Sequence, residues 1–179
     1  MRIAVIDLGT NTFNLLIAER NSSAGFAVLY RNEVGVKIGQ GGILRKTITP
    51  AAFDRGLNAL ENQMEKARSY HPEKILVVAT SGVRSAENGT LFIQRIEKDF
   101  GVEVEVVTGD REATLIYRGV RQSVELDGRP SLIVDIGGGS NECILAGKNG
   151  ILWKESFDIG MARILERFQP SNPITREQV

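Results

Sequence analysis

The chain has 179 residues, 42% of them apolar and 25% charged, with 22 basic side chains balancing 22 acidic ones. That composition describes a globular chain able to bury an ordinary core, and the charge balance announces neither a polybasic nucleic-acid arm nor an acidic tail, while leaving room for a local basic cleft. One cysteine, Cys143, and one histidine, His71, exclude an internal disulfide and any multi-histidine metal motif, and no apolar run reaches the ~20 residues of a membrane helix.

The N-terminus, Met-Arg-Ile-Ala-Val-Ile-Asp, reads as a strand and not a signal peptide, because a carboxylate interrupts its apolar run. A cytoplasmic chain with neither membrane nor nucleic acid as partner is expected. Residues 3–6 form the first strand, ending in the turn Asp7-Leu8-Gly9-Thr10-Asn11. Residues 13–19 return as a hairpin, and a polar turn over residues 21–25 leads into a third strand from Phe26 toward Val36. A loop with Gly39, Gly41 and Gly42 follows. Thr49-Pro50 then opens a helix with a threonine cap and a proline at its first position. Phe53, Leu57, Leu60, Met64 and Ala67 share one face of it, and His71-Pro72 closes it. Residues 74–79 read as a buried strand, 85–99 as a second helix and 102–107 as another strand. Asp110 is the expected cap of a third helix over residues 111–124, with Ala113, Ile116, Tyr117 and Val120 on one face. Residues 1–124 thus read βββαβαβα, a mixed sheet with helices on its faces. The polar stretch 125–130 is the expected boundary before a second unit, residues 131–179.

The second unit begins as the first does. Val134-Asp135-Ile136-Gly137-Gly138-Gly139 matches Ile6-Asp7-Leu8-Gly9-Thr10-Asn11: an apolar strand, an aspartate, one apolar residue, then glycine. An apolar strand, a polar turn and a third strand with an aromatic follow in both, and Ile-Thr comes 41 and 39 positions after the respective aspartate. Thr175-Arg176-Glu177-Gln178 is a capping-box pattern announcing a helix that Val179 cannot complete. The second unit is therefore expected to stop where its first long helix begins.

Asp-x-Gly turns between strands let the backbone approach a ligand and aim several N–H groups at one anion. A strand-end aspartate repels phosphate but can hold a hydrated Mg²⁺ that binds it. Two such turns across a cleft would grip a polyphosphate from both sides. Neither the P-loop pattern nor G-x-G-x-x-G is present, since Glu142 stands where the last glycine would be.

Four strings in order carry a resemblance: Ile6-Asp7-Leu8-Gly9-Thr10-Asn11-Thr12, Ala79-Thr80-Ser81-Gly82-Val83-Arg84, the stretch 108–120 beginning Thr108-Gly109-Asp110-Arg111-Glu112-Ala113, and Asp135-Ile136-Gly137-Gly138-Gly139-Ser140-Asn141-Glu142. Together with Gly39-Gln40-Gly41 and Asp158-Ile159-Gly160-Met161-Ala162-Arg163, they resemble the exopolyphosphatase / guanosine pentaphosphate phosphatase (Ppx/GppA) family. The resemblance implies an α/β, actin-like (ribonuclease H-like) fold: one complete domain and the start of a duplicated second one around a cleft. It implies Mg²⁺-dependent release of terminal phosphate from polyphosphate or pppGpp. Carried over by motif, Gly9, Thr10 and Asn11 form the first phosphate loop and Gly137, Gly138, Gly139 and Ser140 the second. Asp7 and Asp135 place the metal, Arg84 contacts phosphate, and Glu112 activates the attacking water. The sequence departs from the family pattern where Arg111 replaces the first glutamate of a Glu-Glu pair and Asn141 replaces threonine.

Other readings of the residues stay open. Glu112 also suits the first turn of a helix as a dipole partner, Cys143 a strand interior, and His71 a helix end. Another actin-like ATPase, a sugar kinase or a non-catalytic phosphate-binding module would share these turns. The strands beginning the second unit should form a three-stranded sheet with one face lacking the helices that cover its counterpart, 53–67 and 111–124. Self-association, most simply as a homodimer, and little hydrolysis by this chain alone are expected.

Overall fold

A computed structural model describes all residues except 22–24, 127 and 179, so the middle of the expected turn over 21–25, one position of the 125–130 boundary and Val179 lie outside the described residues. Strand β1 (Arg2–Leu8) pairs antiparallel with β2 (Thr12–Arg20), and β2 with β3 (Phe26–Gly35). The chain then crosses through helix α1 (Pro50–Arg68) to β4 (Lys74–Ala79), which lies parallel to β1. A one-turn helix α2 (Ser81–Arg84) and helix α3 (Gly89–Phe100) lead to β5 (Val104–Val106), parallel to β4. The first sheet therefore has the order β3-β2-β1-β4-β5. After helix α4 (Gly109–Ser123), strands β6 (Ser131–Ile136), β7 (Asn141–Gly147) and β8 (Gly150–Phe157) make a separate antiparallel sheet, followed by helix α5 (Met161–Phe168) and a 3-10 turn, Arg176–Gln178.

Period-2 alternation explains how the first sheet is anchored. Ala4, Ile6 and Leu8 of β1 and Phe13, Leu15 and Ile17 of β2 point to one face and are buried there. They pack with Ala52, Leu60, Met64 and Ala67 of α1 and Phe92 and Ile96 of α3 in one core. The Thr49 cap is present, its hydroxyl accepting from Ala52 N at 3.3 Å. Asp7 belongs to the opposite face, and this sends its carboxylate out of the core toward the second sheet.

Three local expectations are corrected. The helix expected over 85–99 is continuous but begins only at Gly89: residues 85–88 stay outside it because Asn88 bonds Ile48 through both its side-chain oxygen and its amide, each at 2.8 Å, and Glu87 N bonds Lys46 O at 2.7 Å. These tertiary bonds outcompete helix continuation. The cap of α4 is Thr108, whose hydroxyl accepts from Arg111 N at 3.2 Å; Asp110 lies in the first turn, paired with Lys154 Nζ at 2.8 Å. Finally, α4 packs on β7 and β8 and does not cover the first sheet. Its first turn is drawn there by Lys154, which also bonds Asp110 O and the Thr114 hydroxyl.

The three-stranded sheet forms as expected, and its other face is open. Leu132, Val134 and Ile136 of β6 and Trp153 and Phe157 of β8 share that face and are 40–63% exposed. Gln178 Oε1 accepts from Thr175 N at 3.1 Å, the reciprocal bond of the capping box, around a single 3-10 turn.

Candidate active site

The two sheets present matching hairpins. In the first, Asp7 stands opposite Asn14 and Leu8 opposite Phe13; in the second, Asp135 stands opposite Glu142 and Ile136 opposite Asn141. Every partner is displaced by the same 128 positions, from Asp7 to Asp135 and from Asn14 to Glu142. The irregularities in the next strand pair keep the same displacement, falling between Ile17 and Ala18 and between Leu145 and Ala146. Residues opposite one another on an antiparallel ladder share a face. Asp7, Asn14 and Glu33 thus form one polar row across β1, β2 and β3, and Asp135, Glu142 and Ser156 form another across β6, β7 and β8.

A cavity of about 410 Å³ lies between the rows, lined by both glycine turns, by Thr80 and Ser81 entering α2, and by Glu112 from α4. The turns approach each other closely because Gly138 and Gly139 lack side chains, and Gly160 lets the start of α5 approach the second turn. A Cβ on Gly138 would stand 2.8 Å from the Asn11 side chain, one on Gly139 would stand 2.5 Å from the Thr10 hydroxyl and 2.6 Å from that of Ser81, and one on Gly160 would stand 2.5 Å from the Gly138 and Gly139 backbone. Glycine is required there to bring backbone amides, rather than side chains, into the cleft.

Glu112 is mostly buried, and its Oε2 accepts from Arg84 Nη1 at 2.8 Å. Burial pushes its carboxyl above the ordinary range; the Arg84 hydrogen bond pulls the other way, while Glu142 and Asp7 add to the rise. Burial likewise raises Asp7, opposed by an Asn14 hydrogen bond and reinforced by Asp135. Glu142 is almost fully buried and takes a 2.7 Å hydrogen bond from Ser156 Oγ. Every residue that the sequence singled out lines this cavity except Arg84. Arg84 stands beside it, its Nη1 shared between Glu112 and Val107 O at 2.7 Å. Asn14, Glu33, Thr80, Ser81, Glu142 and Met161 line the cavity as well, beyond the residues expected from the sequence. Thr80, Ser81, Glu142 and Met161 lie inside the motifs that carry the family resemblance; Asn14 and Glu33 become visible only through strand register.

The lining carries five carboxylates, Asp7, Glu33, Glu112, Asp135 and Glu142, and neither lysine nor arginine. A polyphosphate entering such a cavity needs a cation. Asp7 Oδ1 is buried without a hydrogen-bond partner, a state that costs free energy unless something binds it. No group of three or more His, Cys, Asp or Glu poised around one ion occurs among the described residues. The oxygen-only donors still fit Mg²⁺, which keeps several waters and binds through one or two carboxylates plus phosphate oxygens.

These raised carboxyls give a sign to the pH dependence. Their folded-state pKa lies above the unfolded one, so the folded state holds more protons between the two values. The contribution of Asp7 and Glu112 is fully present below the ordinary carboxylate range and is lost as pH rises through the raised values. Metal-free chain should gain stability from Asp7→Asn when melted at pH 7 and gain little at pH 4. An equal gain at both pH values would contradict the assignment.

A profile of the Ppx/GppA phosphatase family matches residues 16–179. The chain is 34% identical to exopolyphosphatase 2 of Mycobacterium tuberculosis, over 99% of this chain and 58% of that protein. It is also 34% identical to a guanosine-5'-triphosphate,3'-diphosphate pyrophosphatase of Pseudoalteromonas translucida, over 92% of this chain and 33% of that protein. The crystal structure of an exopolyphosphatase from Cytophaga hutchinsonii superposes with a TM-score of 0.94 at 42% identity, covering 99% of this chain and 56% of that one. Paired glycine turns facing across a carboxylate-lined cleft, on a mixed sheet beside an antiparallel one, define an α/β protein with a polar cleft between two sheets. The chain belongs to the Ppx/GppA phosphatase family. It spans less than three fifths of the length of the first two of these curated relatives.

Proposed function

We propose that these residues form the substrate cleft of a Mg²⁺-dependent phosphohydrolase that releases terminal phosphate from inorganic polyphosphate or pppGpp. The observation that carries this reading is Glu112, a mostly buried carboxylate held by Arg84 at the edge of a cavity walled by two glycine turns. The names of the curated relatives, an exopolyphosphatase and a guanosine-5'-triphosphate,3'-diphosphate pyrophosphatase, support the two substrate classes.

In this mechanism Asp7 and Asp135 would hold Mg²⁺, which supplies charge neutralisation to the phosphate oxygens. Backbone N–H groups of the two turns bind further phosphate oxygens. Glu112, its carboxyl raised toward neutrality by burial, orients a water and accepts its proton as the water oxygen attacks the terminal phosphorus. The bridging P–O bond breaks in line, giving phosphate and a chain one unit shorter. Arg84 keeps the carboxylate in one rotamer, and positioning with charge stabilisation supplies most of the rate.

We also read the second sheet as the start of a repeat of the first unit, with residues 125–130 between them; the shared register and the equivalent irregularities support this. The open face of β6 and β8 favours self-association. Light scattering at micromolar concentration should give a dimer mass, and a strictly monomeric chain would remove that part.

The function is tested by phosphate release from long-chain polyphosphate, pppGpp and ATP, with the 179-residue chain and with a form extended to the length of its relatives. Release from polyphosphate or pppGpp by the extended form, abolished by EDTA and restored by Mg²⁺, is expected. Asp7→Asn and Asp135→Asn should each raise the Mg²⁺ concentration needed. Full activity in EDTA would remove the metal, and absence of release from both substrates would remove the function.

A further inference from the structure

Two segments of the chain remain without a role: the loop around Gly39-Gln40-Gly41 and the stretch 158–163. Both follow the third strand of a sheet, and both lie against the outer side of a glycine turn. At the second turn Met161 N donates to Gly137 O at 3.0 Å, Ala162 N to Gly138 O at 2.7 Å and Gly160 N to Gly139 O at 3.3 Å. Arg163, only 11% exposed in its side chain, adds its Nε to Gly139 O at 2.8 Å. Its Nη2 reaches the Ser85 hydroxyl at 2.9 Å and Asp158 at 3.4 Å, and its Nη1 reaches Ile43 O at 3.5 Å. All three glycine carbonyls are therefore taken on the α5 side.

A trans peptide is planar, and its C=O and N–H point in opposite directions. Fixing the carbonyls of Gly137, Gly138 and Gly139 toward α5 turns the N–H groups of Gly138, Gly139 and Ser140 away from it. Those three amides meet no acceptor among the described residues, and the turn that carries them lines the cavity. The first turn is held similarly: Asn11 O accepts from Val36 N at 2.9 Å and Lys37 N at 2.8 Å, and Thr10 O from Gly39 N at 3.5 Å.

We infer that the segments after β3 and β8 are carbonyl clamps that hold each turn with its amide side toward the cavity, and that Arg163 is a positioning residue of the second clamp. The inference rests on the phosphate reading above and adds to it what orients the binding groups. Charge-assisted donation from Arg163, anchored on Ser85 and Ile43 of the first half, also ties the second turn to the first. Preorganised amides bind an anion without reorganisation, whereas a loosened turn must reorder its peptides at each binding event.

The test is an amide NMR titration of the ¹⁵N-labelled 179-residue chain with tripolyphosphate and Mg²⁺. In the unsubstituted chain the amides of Gly138, Gly139 and Ser140 should shift together with those of Thr10 and Asn11. Arg163→Ala should raise the tripolyphosphate Kd about tenfold, the scale of one charge-assisted hydrogen bond, and shrink the shifts at 138–140 while those at Thr10 and Asn11 persist. Glu166→Ala removes another bond between the halves, from Leu44 N at 3.2 Å, without touching the turn; its Kd should stay unchanged. Where Arg163→Ala loses its dispersed spectrum, Arg163→Gln takes its place with a smaller rise in the same direction. An unchanged Kd and shift pattern in a folded Arg163 variant, or shifts at the first turn only in the unsubstituted chain, overturns the clamp alone. No shift at either turn overturns the phosphate reading and the clamp with it.

Discussion

Glu112→Gln, made in the form extended to the length of its relatives, is expected to lower turnover by about 10²–10⁴, the share a positioned general base supplies, with phosphate binding and fold retained. Glutamine keeps the size of the side chain and an oxygen that can still accept from Arg84, so the 2.8 Å contact survives in its neutral form. It loses the capacity to take a proton from water. The substitution also removes one negative charge from a cavity that holds Glu142 and Asp7 nearby, both of which oppose ionisation of Glu112. Melting temperature should therefore be unchanged or slightly raised, while kcat falls and KM changes little. Turnover near that of the unsubstituted enzyme would remove Glu112 from the mechanism.

The second large effect is expected at Gly160. An added Cβ would lie 2.5 Å from the carbonyl carbons of Gly138 and Gly139 and from Gly139 N, all of them backbone atoms with no flexible end to move. The clash must push α5 off the second turn or deform the turn. Overpacking of this kind costs about 1–3 kcal/mol, which in a chain of this size lowers Tm by about 2–12 °C. Tripolyphosphate affinity should fall as well, because the bonds from Gly160, Met161 and Ala162 to the turn depend on the same approach. Gly119→Ala is the matched control. Gly119 lies within α4 and has nothing within 4 Å of the added methyl, so the change should stabilise by about 0.5–1 kcal/mol through helix propensity. A Gly160→Ala chain with unaltered Tm and affinity would show that α5 does not seat on the turn.

What could be read from the sequence was whatever one strand or one helix decides alone. The Thr49-Pro50 start of α1, the alternation through β1 and β2, and the two Asp-x-Gly turns are local signals, and each appears where its residues placed it. The late start of α3, after residues 85–88, was not readable, because it depends on Asn88 meeting Ile48, forty positions away. The seat of α4 was not readable for a similar reason: an apolar face does not name the sheet it meets, and the bonds of Lys154 on β8 to Asp110 and Thr114 join residues forty or more positions apart. At the site, motifs brought out Asp7, Asp135 and Glu112. Glu33 has no motif and enters only because Asn14 pairs with it across β2 and β3. Arg84 is placed by its motif, but its bonds through Nη1 to Glu112 and Val107 O are visible only in the folded chain.

The cleft is stitched by a few polar bonds between distant residues: Arg84 to Glu112, Arg163 to Ser85 and Ile43, and Leu44 to Glu166. Helix α5 buries none of its residues, whereas β1 and β2 are locked into a continuous apolar core. Cooperative opening units with little buried apolar surface have the lowest opening free energies. In hydrogen–deuterium exchange, amides of α5 should exchange soonest, those of β7 later, and those of β1 only at global unfolding. Parting of the two halves is thus expected to cost less free energy than unfolding either sheet, so that access to the cleft would follow a local equilibrium distinct from the stability of the protein.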